Sequence, residues 1–165
     1  MAGLVQNPNA GKITDPTLQK VIAAIRAKVP PALDVPYNQV ITAGMKVMLS
    51  PATSHLLTDR LAAPGPLYQK VAQIVTQLIA LLYKESNRKM SLPAAVLAST
   101  ELMCVALDVA ERAQSITLSP DVIAACTHAT SMAVLKMFGI GDQQVQRAVA
   151  AGHAAQQQPV TPAKG

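Results

Sequence analysis

The stretch "LYQKVAQIVTQLIALLYKESNRKMSLPAAVLASTELMCVALDVAERA", residues 67–113, decides the fold. In its first half Leu67, Val71, Ile74, Val75, Leu78, Leu81 and Leu82 recur at helical spacing, while Gln69, Gln73, Thr76 and Gln77 lie away from them. That pattern is the apolar stripe of an amphipathic helix over about 67–85, without the alternation of a strand. The second half, Leu92 to about Ala113, carries two stripes. Val96, Leu97, Thr100, Cys104 and Leu107 share one register; Ala95, Ala98, Leu102, Val105 and Val109 share the other. A helix apolar on two sides sits in the middle of a bundle or between subunits.

Working outward, helix starts are marked by one recurring device. "TDPTLQ" places Asp15 before Pro16, "LSPATS" Ser50 before Pro51, and "LSPDVI" Ser119 before Pro120; "SLPAAV" is a variant starting from Ser91. The side-chain oxygen takes an orphan amide of the first turn, and proline has no amide to orphan. The expected helices are Pro16–Val29, Tyr37–Leu49, Pro51–Leu61, Leu67–Glu85, Leu92–Ala113, Pro120–Phe138 and a short Gln143–Ala151. Pro30-Pro31 ends the first and Gly139, a left-handed cap, ends the sixth. "VITAGMKVML" is the one segment where a strand competes. The expectation is an all-α bundle of five to seven helices spanning 15–152, with no sheet.

Residues 1–14 and 153–165 are read as tails. Tracts of Ala, Gln, Pro and Gly do not offset the entropy of their own ordering, so ordered or extended tails at both ends would need neighbouring chains to hold them.

Composition narrows the function. Hydrophobic residues make up 50% of the 165, charged residues 14% and aromatics 2%, with no tryptophan. So little polar material coats a monomer poorly, which favours burial against other subunits. The faces expected to meet them are Val71, Ile74, Leu78, Leu82, Val96, Leu97, Leu102 and Val105. The formal net charge of +5 suits proximity to acidic surfaces or nucleic acid, but the lack of aromatics argues against a base-stacking platform. The densest basic cluster, Lys84, Arg88 and Lys89, reads as a solvated turn or a phosphate contact.

Chemistry is scarce. Cys126, His128 and Met132 are soft ligand types on one helix, but residues two apart diverge and further ligands are wanting. This segment reads as core and interface, with no metal and no cofactor. The Gly139-Ile140-Gly141 stretch follows a helix and lacks a lysine-serine partner, so it is no nucleotide loop. The histidines His55, His128 and His153 have no nucleophile elbow near them. Glu101 and Asp108 lie seven apart on one side of their helix, and Asp108 precedes Arg112 by four, the spacing of a surface pair. They read as a thin polar stripe, and no catalytic residue is assigned.

Cys104 and Cys126 read as small core hydrophobes in a reducing compartment, and no secretory signal is evident. The runs 71–83 and 92–107 contain Gln73, Gln77 and Glu101 and are not constitutive spans, although together they form an apolar hairpin capable of transient membrane contact. The resulting expectation is a non-enzymatic structural protein in many copies, synthesised in the cytoplasm. It would bind itself and other structural proteins as a small bacteriophage virion component (inner, connector or ejection protein) with no small-molecule substrate. The alternative is a cytoplasmic partner-binding adaptor or regulator.

Overall fold

A computed structural model describes residues 13–144 and 146–147 of the chain. Six α-helices run in order: α1 (Pro16–Lys28), α2 (Asp34–Met48), α3 (Ser54–Ala62), α4 (Leu67–Glu85), α5 (Leu92–Gln114) and α6 (Pro120–Met137). A single 3-10 turn, Pro31–Leu33, joins α1 to α2. Among the described residues there is no strand, and the segment 40–49 that could have formed one is helical up to Met48. Of the expected tails, residues 1–12 and 153–165 lie outside the described residues, as does most of the last short helix, although 142–144 and 146–147 are helical; Thr14, expected in the tail, is tied to α5.

The proline device works as capping chemistry at two of its sites. Asp15 Oδ1 accepts from the amides of Thr17 (2.7 Å) and Leu18 (2.9 Å), and Ser119 Oγ accepts from Val122 N (3.2 Å). At the other two the outcome differs. Ser91 caps α5 by position without a side-chain bond. Ser50-Pro51 opens a turn in which Ser54 N donates to Ser50 O (2.8 Å), so α3 begins three residues later than Pro51. The second helix also starts early, at Asp34, because Pro36 falls in a first turn whose amides have no intrahelical acceptors.

Two helix ends close in Schellman motifs. After α6, Gly139 (φ 83°) lets Ile140 N reach Leu135 O at 3.0 Å and Gly139 N reach Lys136 O at 2.9 Å. After α4, Asn87 (φ 54°) takes the same role without glycine: Arg88 N donates to Tyr83 O (2.9 Å) and Asn87 N to Lys84 O (3.1 Å).

α5 is the axis, touching every other α-helix of the bundle. Its two apolar stripes therefore face other helices of the same chain. Ala98, Leu102, Met103, Ala106 and Leu107 are fully buried along it. α4 and α6 pack on each other and on α5, and the Tyr83 and Phe138 rings meet edge-to-face at 5.1 Å where both helices end. α2 approaches α5 most closely at Gly44, where an added Cβ would stand 2.7 Å from Leu102 Cδ1. A methyl at that position would have to push the Leu102 side chain aside within a filled core.

Candidate functional site

The polar stripe expected on the fifth helix is present, but it is buried beneath α1. Glu101 is 2% exposed. Arg26 Nη2 donates to its Oε1 at 2.5 Å, Arg26 Nε to its Oε2 at 3.3 Å, and the Tyr37 hydroxyl also donates to Oε2. Two turns on, Asp108 Oδ1 accepts from Thr14 N (3.0 Å) and Thr14 Oγ1 (3.2 Å), and its Oδ2 pairs with Arg112 at 2.7 Å. The Asp108–Arg112 pair thus forms at the expected spacing, with its carboxylate buried instead of at the surface. Both carboxylates are satisfied from several sides, which is the condition for keeping an ionised group out of water.

Electrostatics follow from the contacts. The bond to Glu101 raises the Arg26 guanidinium further above its usual range. Burial, then the bond to Glu101, pushes the Tyr37 phenol up. At the other end, burial and the neighbouring Asp15 push Glu111 up, so like charges crowd the place where α1 begins. A cleft of about 390 Å³ remains between α1 and the bundle, lined by Ile22, Ala23 and Arg26 on one side and Met45, Glu101 and Val105 on the other.

Of the eight side chains expected to meet other subunits, Val71, Ile74, Leu78, Leu82, Leu102 and Val105 are buried in the chain's own core, and Val96 and Leu97 are half-buried. This corrects the expectation. Their helices pack on one another first, and what they leave uncovered lies elsewhere. Leu56 is 51% and Leu81 43% exposed, and both border one apolar groove of about 270 Å³ between α3 and α4. Arg60 donates to Gln77 across it. The sequence held a signal for this: Leu56 and Leu57 are adjacent, and a helix cannot bury both on one narrow stripe.

Lys84, Arg88 and Lys89 are exposed at the α4–α5 turn, and among the described residues none pairs with a carboxylate. The joined ends of α4 and α6 bring Lys136 to the same end of the bundle. Cys126 is fully buried, whereas His128 is exposed and Met132 half-buried, so the opposed directions expected on α6 are observed. Both cysteines are free. Burial pushes the Cys104 thiol up to about 12, with the Glu101 charge adding to it, and the Cys126 thiol up to about 11. Among the described residues no three His, Cys, Asp or Glu side chains gather as a metal site. α5 alone among the described helices is long and apolar enough to cross a membrane, and 67% of that window is buried inside the bundle.

Set against models of protein families, curated proteins and solved structures, the chain matches none.

Proposed function

We propose that the chain is a non-catalytic structural protein that works in many copies, its setting a bacteriophage particle. The observation that carries the reading is the α3–α4 groove: two half-exposed leucines flank one apolar cleft on a chain that is only 14% charged. Completing the burial of such a side chain is worth about 1 kcal/mol, roughly half the value for a fully exposed leucine, and every additional copy repeats the gain. The setting rests on sequence character: a basic net charge compatible with packaged nucleic acid and a chain rich in alanine and glutamine. In that setting Lys84, Arg88, Lys89 and Lys136 form the end that faces phosphate.

A second reading uses the same groove. A cleft between two helices fits one amphipathic helix of a partner, as in a cytoplasmic adaptor. Light scattering over a range of salt and concentration separates the two. A discrete oligomer that falls to monomer in Leu56→Glu or Leu81→Glu supports the structural reading. A wild-type monomer at every concentration overturns self-assembly and leaves the adaptor.

A further inference from the structure

We infer that the socket which α1 occupies on α5 is an interaction surface between copies: in the assembled protein it receives α1 of a neighbouring chain. The inference rests on the many-copy reading above and adds a second contact, between copies that the α3–α4 groove has already brought together. Its grounds are how α1 is attached. Of the 13 residues of α1, Leu18 alone is fully buried, and Val21, Ile22 and Ile25 are half-covered. The cleft of about 390 Å³ lies along this seam, so close packing is not what holds the helix. Position is set instead by two polar keys, Arg26 on Glu101 and Thr14 on Asp108, at the two ends of the helix. Both key acceptors belong to α5, which is locked by the rest of the bundle. The socket is therefore complete without α1, and it reads the sequence of whatever helix arrives, not the chain that helix came from.

The connection points the same way. Only Val29 and Pro30 separate α1 from the 3-10 turn, both extended (ψ 116° and 148°), and Pro31 follows at once. A short, proline-stiffened hinge leaves α1 little slack, and connections of this kind favour exchange of an element between identical chains. Docking within the chain has the advantage of an effective concentration of roughly millimolar order, which a dilute monomer cannot match. Copies held side by side in an assembly remove that advantage. The helix then links chain to chain, each giving α1 and each receiving one.

Charge reversal tests this directly. Arg26→Glu places like charges on the key within its own chain and within any assembly of that variant alone; Glu101→Arg does the same with the opposite sign. Refolded together, the two variants offer both complementary pairs, but only between chains. Recovery of the wild-type mass and melting temperature in the mixture, with neither variant recovering alone, is the expected result. A mixture that melts and scatters as the sum of its parts overturns the exchange, provided that the chain carrying both substitutions folds and shows that position 101 accepts the reversed pair.

Should that doubly substituted chain not fold, the wild-type protein gives the answer. Labelled (15N) and unlabelled chains are refolded together and treated with a long amine-specific cross-linker, to read pairs between Lys20 of α1 and Lys46 of α2, each next to a residue that lines the cleft (Gln19 and Met45). Mixed-mass Lys20–Lys46 pairs as frequent as same-mass pairs are expected. Same-mass pairs alone, in a sample that scatters as an oligomer, overturn the exchange and leave the many-copy reading standing. A monomer at all concentrations overturns both.

Discussion

α6 and α1 are both laid on the central helix, and they are held there by different physics. α6 shares its contacts between α4 and α5 and inserts Ile123, Cys126, Thr130 and Val134 as fully or nearly fully buried side chains. α1 inserts one, and relies on two carboxylates that reach it from α5. Apolar packing is strong but tolerant of small shifts, whereas a hydrogen-bonded carboxylate specifies one register and penalises all others. The bundle is thus a five-helix body, α2 to α6, with a positioned, weakly buried strap.

The harshest way to break the comparison is Leu102→Asp. Leu102 is fully buried against Gly44. Truncating such a leucine costs about 2–5 kcal/mol, and an unpaired carboxylate costs more, so the cooperative thermal transition followed by circular dichroism is expected to vanish.

Next in size is an asymmetry at the strap. Arg26 is 62% exposed and Glu101 2%. Arg26→Ala strands a buried charge with only Tyr37 as partner, at about 2–3 kcal/mol, discounted from a fully buried pair because the arginine reaches solvent. Glu101→Gln keeps a hydrogen-bonding group and releases the arginine to water, at about 1 kcal/mol or less. Urea titrations should therefore rank the surface substitution as the worse of the two. Equal costs would mean that α1 is held by its apolar face after all.

Gly44→Ala sharpens the view of the packed side. The new methyl must displace Leu102, an overpacking cost of about 1–3 kcal/mol, offset by about 1 kcal/mol of helix propensity. In a Leu102→Ala background the same change should cost nothing or stabilise, a coupling that a double-mutant cycle reads.

The alkaline limb varies pH instead of sequence. The Cys104 and Cys126 thiols rise from 9.0 to about 12 and about 11. The folded state therefore binds more protons than the unfolded state across that interval. Their contribution is whole below pH 9 and is lost as the pH climbs through 11 to 12, so the urea midpoint falls over that window. Cys126→Ala with His128→Ala should flatten part of the fall and otherwise cost about 1 kcal/mol, since one side chain is small and the other exposed.

The helices were legible in the chain because the signals for them are local. α4 spans Leu67–Glu85 as its stripe implies, and Gly139 caps α6 as read. Errors of a few residues arose where two prolines competed for one start, at Pro31 against Pro36 and at Pro51. The strap was not legible. Arg26 and Glu101 are 75 residues apart, and Thr14 and Asp108 are 94 apart. Nothing local distinguishes a carboxylate that will meet a helix from one that will meet water. The assignment of contact faces failed for the same reason: Val71, Leu78 and Leu102 are equally apolar whether they meet a sister helix or a sister subunit.

The central place of α5 has a consequence in time. α1, α2 and α3 all pack on a helix that is made after them, and among the described residues α1 has no substantial contact with any other helix. On a ribosome adding roughly 5–20 residues per second, the early helices wait several seconds or more before residues 92–114 arrive. During that interval α2 and α3 can meet only α4, and the apolar stripe of α1 has no native partner yet made among the described helices, while neighbouring copies from the same message stand close by. The helix on which the first one rests is made fifth, and until it arrives the first helix has the least to hold it at home.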